Sequence, residues 1–320
     1  MKPPFKITST ILDLISQIER LIGRVESLNQ PRPQPHLRKS NRVKTLHGSL
    51  AIEGNTLDEG QITALLEGKK VLGKRDEIRE VLNAIDVYDQ METYDVLDIK
   101  ELLKAHGVMM RGLIDTPGQW RTGNVGILKG SKVSHLAPPA DRVQFLMEEL
   151  FEFLKQEDMH SLIRGCVFHY ELEFIHPFQD GNGRLGRFWH SLLLSQYHPV
   201  FEFIPVESLI KEHQKMYYDA LELSDQSGDS TAFVEFSLSM IHAALQDFVD
   251  VFKPDPHTTE SRLNVAKGHF SNQSFSRKQY LDYFKNISTA TASRDLKQGV
   301  DQEILVKTGE KSTTSYSYGS

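Results

Sequence analysis

The stretch "HPFQDGNGRLGR", His176–Arg187, gathers one histidine, one acid, three glycines, an asparagine and two arginines into twelve residues. Apolar runs flank it, "CVFHYELEFI" (166–175) before and "FWHSLLLSQY" (188–197) after. The flanks read as two core helices joined by a polar loop. Gly181 and Gly183 let backbone N–H groups approach an anion closely. They lie where the loop becomes a helix, and a helix start carries free donors and partial positive charge. Loop plus helix N-terminus is a phosphate site. Arg184 and Arg187, three residues apart, share a helix face and suit a polyphosphate. Asp180 stands at the loop edge, placed to hold Mg²⁺ against phosphate oxygens. His176 ends the preceding helix and is the candidate general base.

Each feature alone has a plainer origin. A "GNG" is usually a turn, a histidine after an apolar helix usually a cap, and two arginines usually a solvated face. One twelve-residue window collecting all of them by accident is hard to sustain. A zinc site from His169, His176 and His190 with Asp180 has spacings of seven and fourteen, which fit no motif of the HExxH type, and His169 reads as structural.

Helical periodicity dominates outside the loop. "ILDLISQIERLIGRVESL" (11–28) is amphipathic and ends at the proline-rich break "NQPRPQP" (29–35), read as an exposed linker. "KTLHGSLAIEG" (44–54) precedes "NTLDEGQITALLEGK" (55–69), where Thr56 and Glu59 have capping-box spacing and predict a helix just after Thr56. "RDEIREVLNAIDVYDQMETY" (75–94) is another helix, and Asp98 with Glu101 repeats the capping pattern ahead of "LLKAHGVMMRGL" (102–113). Between 116 and 139 the chain turns glycine-rich, and "NVGIL" and "KVSHL" around "KG" predict a small hairpin. Helices resume at 141–156, around the loop, at "SLIKEHQKMYYDALEL" (208–223) and at 230–252; "KPDP" (253–256) marks a boundary. Beyond it, 275–319 reads helix, turn, helix, then two short strands, a winged helix-turn-helix pattern with Thr289 to Lys297 in the recognition position. The fold class expected is mainly α with two small β elements. The segments are 1–40 (N-terminal helix and linker), 41–253 and 257–320.

Of 320 residues, 39% are hydrophobic and 25% charged, enough for a sizeable core. No apolar run reaches the ~20 residues of a membrane span, and the N-terminus carries acids where a signal peptide would not. Cys166 is the only cysteine, which fits a reducing cytoplasm and reads as buried filler. The net charge of -6 is uneven: residues 257–320 hold nine Lys/Arg against six Asp/Glu, the rest 28 against 37.

The loop resembles the signature of Fic proteins, HPFx[DE]GNGRxxR, with His176, Pro177, Phe178, Asp180, Gly181, Asn182, Gly183, Arg184 and Arg187 at every fixed position. The resemblance extends from about Val43 to Phe252 and implies a Fic-fold helical bundle with a hairpin flap. It implies transfer of AMP from ATP to a Ser, Thr or Tyr hydroxyl of a protein, with release of pyrophosphate. His176 would be the base, Phe178 the loop's anchor and Asp180 the Mg²⁺ ligand. Gly181, Asn182 and Gly183 would line the anion hole, Arg184 would hold the β/γ-phosphates and Arg187 the γ-phosphate. Leu185 and Gly186 fall within the same nucleotide-binding stretch. The relative Doc, which phosphorylates, lacks the second glycine and the last arginine, and this chain has both. The flap, Lys132, Val133, Ser134, His135 and Leu136, would cover the nucleotide and pair with the target by strand addition. Tyr217 and Tyr218 resemble the residues that pack on the adenine. "SLAIEGN" resembles the inhibitory pattern [ST]xxxE[GN] of class II members, with Ser49, Glu53 and Gly54, and Glu53 pairing with Arg187.

The reading is therefore an autoinhibited cytoplasmic protein adenylyltransferase, with a protein target on the flap and self-modification. Removal of AMP with Glu53 aligning water, or use of another nucleotide such as UTP, are the alternatives within the enzyme class. The alternative outside it is a DNA-binding regulator with a nucleotide-sensing core. That reading draws on Arg277, Lys278, Arg294 and Lys297; DNA through 257–320 is not favoured, because Asp282 and Asp295 dilute that face. No membrane partner is expected, and a homodimer is compatible with the reading.

Overall fold

The computed structural model describes residues 3–27, 35–129, 132–251, 258–270, 273–285, 287–310 and 314–318; at 27, 35, 127–129, 132–136 and 251 it describes the backbone alone. Residues 29–34 of the linker and the "KPDP" boundary therefore lie outside the described residues, as do the hairpin tip and the flap side chains, while the linker's last residue, Pro35, opens a helix. Two compact units divide the chain, 1–249 and 250–320.

The larger unit is helical because its apolar residues recur at helical spacing. Helix α1 (Ser9–Ser27) buries Ile11, Ile18, Ile22 and Val25 along one face. Its N-terminal approach is tied to α11 (Thr231–Val251): Ser230 N–H donates to Pro4 O, and Thr8 Oγ1 to Glu235. Helix α2 (Pro35–Ile52) starts with proline in its first turn, where no N–H is needed. It is an element the sequence reading did not assign, since its apolar residues form no clean stripe. Helix α3 (Glu59–Leu66) starts later than predicted. Its capping box is Asp58 with Gln61, while the Thr56 hydroxyl donates to Glu77 instead. Helices α4 (Arg75–Asp89) and α5 (Ile99–Met109) follow; Asp98 caps α5 through Lys100 N–H.

Strands β1 (Gly126–Lys129) and β2 (Lys132–Leu136) pair antiparallel, with a bulge between Ile127 and Leu128. Helix α6 (Val143–Leu154) leads into α7 (Ser161–Ile175) and α8 (Asn182–Tyr197). α7 is apolar on nearly every side and is the central helix. It runs antiparallel to α8, with Gly165 against His190 and Gly186 against His169 and Glu173. The predicted single helix over 208–223 is two, α9 (Val206–Glu212) and α10 (Gln214–Ser227), broken at His213. No helix among the described residues is long and apolar enough to cross a membrane.

The smaller unit holds α12 (Thr259–Phe270), which the sequence reading missed, then α13 (Arg277–Tyr283) and α14 (Thr289–Asp301). Strands β3 (Leu305–Thr308) and β4 (Ser315–Tyr318) form a two-stranded antiparallel sheet, and Phe275 bridges to Tyr316. Its core is Leu263, Phe270, Phe275, Tyr280, Leu296 and Leu305. Asp295 is fully buried, where Arg262 grips it bidentately at 2.6 and 2.8 Å and Thr259 donates at 2.7 Å. Burial opposes its charge, but those bonds hold the carboxyl below its usual range. The sequence reading placed Asp295 on the exposed face of α14; it points into the core.

Candidate active site

Helix α7 ends because Pro177 cannot continue it and disfavours helical geometry at the residue before it. His176 becomes the C-cap and takes left-handed backbone, φ 49 and ψ 61. That conformation costs a non-glycine residue about 1 kcal/mol, so something must hold it. Arg121 does. Its guanidinium donates to the carbonyls of His176 (2.7 Å), Ile175 (3.3 Å), Gly123 (2.9 Å) and Pro138 (2.5 Å), and its own N–H to Pro177 O (2.9 Å). The sequence reading missed this arginine. A lone Arg in a glycine-rich turn segment, where bent backbone leaves carbonyls without partners, was the available signal.

The loop that follows is anchored from below. Phe178 is fully buried, stacked on His106 at 3.7 Å with Trp120 at 5.0 Å. Asn182 closes the loop on itself: its Nδ2 donates to Phe178 O and its Oδ1 accepts from Phe178 N–H, both at 2.9 Å. Its side chain is thus spent on the loop, which leaves only its backbone N–H for the anion hole expected of it. His106 accepts from Gly118 N–H at Nδ1, so Nε2 carries the proton and donates to Asp180 O at 2.9 Å. Burial holds this imidazole neutral, with its pKa down at about 4. Gly181 needs to be glycine twice over: its φ is 88, and a Cβ would meet Met110 Sδ at 2.6 Å.

Both arginines at the start of α8 are buried and paired. Arg184 forks between Glu80 (2.8 Å) and Asp180 (3.0 Å). Glu80 also accepts from Asn55 Nδ2 at 2.8 Å, so α4 links this arginine to the segment after α2. Arg187, 1% exposed, donates to Glu53 Oε1 at 2.6 Å, to Ser49 Oγ at 3.2 Å and to Ser49 O at 3.0 Å. Burial opposes its charge, yet Glu53, with Tyr217 and Glu173 nearby, raises its pKa.

Glu53 reaches Arg187 because of how α2 stops. Asn55 N–H bonds to Leu50 O and Gly54 N–H to Ala51 O, with Gly54 at φ 91. This is the paired-bond helix ending that requires a left-handed residue just past the C-cap. Glu53 is that C-cap, so the "EG" of the motif is a helix stop that aims a carboxylate. Gly183 completes the fit, since a Cβ there would collide with Glu53 Oε1.

The other expected residues separate. Tyr217 is 2% exposed and hydrogen-bonds Glu173 in the core, so its ring is not free to stack; Tyr218, 40% exposed, is. Leu185 is fully buried, and Gly186 makes room for Glu173 and His169 of α7. Cys166 is buried, with its thiol pKa pushed up by desolvation. The side chains of Lys132, Val133, Ser134, His135 and Leu136 lie outside the described residues. Asp180 is 57% exposed at its side chain, and no cluster of three metal-type ligands occurs among the described residues. A single exposed carboxylate fits a Mg²⁺ ion shared with phosphate oxygens, not an all-protein cage.

A family model described as Fic/DOC family matches residues 96–194, which span α5 through most of α8. The structure of a Fic family protein from Desulfovibrio desulfuricans is 38% identical, covers all of this chain and 98% of its own, and superposes with a TM-score of 0.76. The chain belongs to the Fic family. A Fic domain containing signaling protein from Bacteroides thetaiotaomicron, 20% identical with a TM-score of 0.58, shares the fold over 74% of this chain and 95% of its own. A protein adenylyltransferase Fic of Culex quinquefasciatus is 30% identical over 72% of this chain and 47% of that protein. This Fic protein thus spans about half the length of the curated relatives it matches, which are named protein adenylyltransferases.

Proposed function

We propose that this chain transfers AMP from ATP to a hydroxyl side chain of a protein, and that Glu53 restrains it. The observation that carries the reading is the arrangement around the start of α8. His176 ends α7 in left-handed backbone, glycine backbone lies at the N-terminus of α8, and Arg187 on α8 is already engaged by a carboxylate. The triphosphate would lie over the N–H groups of Gly181 to Gly183, where helix charge favours an anion. His176 accepts the proton of the target hydroxyl as its oxygen forms a bond to the α-phosphorus. The bond from that phosphorus to the bridging oxygen breaks, and pyrophosphate leaves. Arg184 and Arg187 offset the charge that builds on the leaving group. Mg²⁺ held by Asp180 would supply further neutralisation of the phosphates. While Glu53 occupies Arg187, the γ-phosphate meets a carboxylate, and the nucleotide is kept from in-line geometry.

Parallel incubations with α-labelled and γ-labelled ATP test the transfer. Label should pass to protein from the α position only, with a mass increase of one adenylyl group. Label from the γ position instead would make the enzyme a kinase and contradict the reading.

A second reading concerns the smaller unit. We infer a winged helix from the order α12 to β4 with Phe275 bridged to the hairpin. With Asp295 turned inward, the exposed face of α14 keeps Arg294 and Lys297, and Arg277 joins it through Ser293 Oγ at 3.1 Å. That face suits phosphate contacts with duplex DNA. Binding of a generic duplex that weakens steeply with salt supports this, and no binding at low salt rules it out.

A further inference from the structure

The last four carbonyls of a helix have no partners within it, and those of α2 can be followed one by one. Ser49 O accepts from Arg187. Leu50 O accepts from the N–H groups of Glu53 and Asn55, and Ala51 O from Gly54 N–H. Two side chains from outside complete the set. Lys211 Nζ donates to Ala51 O at 3.0 Å, and Gln214 Nε2 donates to Ile52 O at 3.0 Å. The two are joined, since Lys211 Nζ also donates to Gln214 Oε1 at 2.8 Å. They flank the break at His213 between α9 and α10, which is what brings both to the end of α2. Nearby, Gly48 lets the α2 backbone touch that of α9, for a Cβ there would meet Glu207 O at 2.7 Å.

The peptide carbonyls held by this pair belong to the two residues immediately before Glu53. A cation at a helix C-terminus is also favoured by the helix dipole. We propose that Lys211 and Gln214 are positioning residues of the switch: by clamping the carbonyls of Ala51 and Ile52 they keep Glu53 on Arg187. The proposal rests on the inhibitory reading of Glu53. It assigns a regulatory role to a segment outside both the "SLAIEGN" and the His176–Arg187 motifs. Releasing the clamp frees the end of α2, so Glu53 leaves Arg187 more often and activity rises. A residue serving stability alone would lower activity when removed, or leave it unchanged.

The experiment uses the full chain, α-labelled ATP and self-labelling as the readout. Lys211→Met keeps the length of the stem and removes the donor; Lys211→Arg restores a donor. Gln214→Glu replaces the Ile52 donor by an acceptor, although Gln214 also contacts Tyr218, which makes Lys211 the cleaner position. Each is made alone and with Glu53→Gly. Lys211→Met and Gln214→Glu should raise the initial labelling rate roughly three- to tenfold, the weight of one or two hydrogen bonds. Lys211→Arg should stay at the parent rate. In the Glu53→Gly background none of the three should raise labelling further. Parent-level or reduced labelling in the first two overturns the clamp, as does an equal gain with and without Glu53. If Glu53→Gly itself gives no gain, the inhibitory reading fails instead, and the clamp has nothing to position.

Discussion

On the proposed mechanism His176 carries two distinct demands, a side chain that takes the proton and a backbone in left-handed geometry. The first predicts that His176→Ala lowers the transfer rate by about 10²–10⁴-fold while ATP affinity changes little. Labelling of the variant at near the parent rate would refute the assigned base. Asp180 makes a parallel prediction: EDTA should silence labelling and added Mg²⁺ restore it, whereas persistent labelling in EDTA would count against a metal-assisted leaving group. His106 beneath the loop sets a pH dependence. Its ordinary pKa near 6.5 falls to about 4 in the fold, so the unfolded chain binds its proton more readily. The stability that comes from keeping it neutral is full above pH 6.5. It is lost as pH falls from 6.5 toward 4, by up to about 3 kcal/mol. His169, held down to about 3 by burial and Arg187, acts in the same direction. Thermal midpoints should drop across that window, and His106→Gln should make the drop shallower. Equal slopes for parent and variant would show that His106 is not the titrating group.

At the scale of elements, α7, the loop and α8 were legible because composition alone marks them: apolar runs on both sides of a polar, glycine-rich dozen. The pair Glu53–Arg187 was expected from two motifs 134 positions apart in the chain. What supports it was not legible. Helix α2 carries no strong stripe, since it packs on several sides, and its residues gave no helix signal. Glu80, His106 and Arg121 act through backbone or across elements, and nothing in their local sequence says which carbonyl or arginine they will meet. Tyr217 and Tyr218 are adjacent and alike in sequence, and only burial separates them. Asp295 looked exposed because its partner Arg262 lies in α12, a helix with no clear periodicity. The end of α2 gives the element-level prediction. Gly54→Ala meets no side chain but puts a Cβ on φ 91, a strain of about 1 kcal/mol. It should loosen the helix stop and raise self-labelling several-fold, with Gly54→Asn closer to the parent because asparagine tolerates left-handed backbone. A fall in labelling for Gly54→Ala would contradict a restraining role for this turn.

The whole molecule consists of two units with separate cores, and each should lose stability on its own terms. Asp295→Ala leaves Arg262 buried without its carboxylate, a change that typically costs about 3–5 kcal/mol. Calorimetry should show a transition for residues 250–320 moved down while that of the larger unit stays. A single transition that moves as one would contradict two independent cores. For the larger unit, the proposed switch is a balance between a carboxylate and a phosphate for Arg187, of which the structure holds the carboxylate side. If the closed arrangement is favoured by ~3 kcal/mol, under ~1% of molecules are open at a time. The most direct test compares self-labelling and target labelling of the parent, Glu53→Gly and Glu53→Gly/Arg187→Ala with α-labelled ATP. Glu53→Gly should gain one to two orders of magnitude on that ~3 kcal/mol estimate, and the added Arg187→Ala should erase the gain. Equal labelling of the parent and Glu53→Gly would contradict the switch.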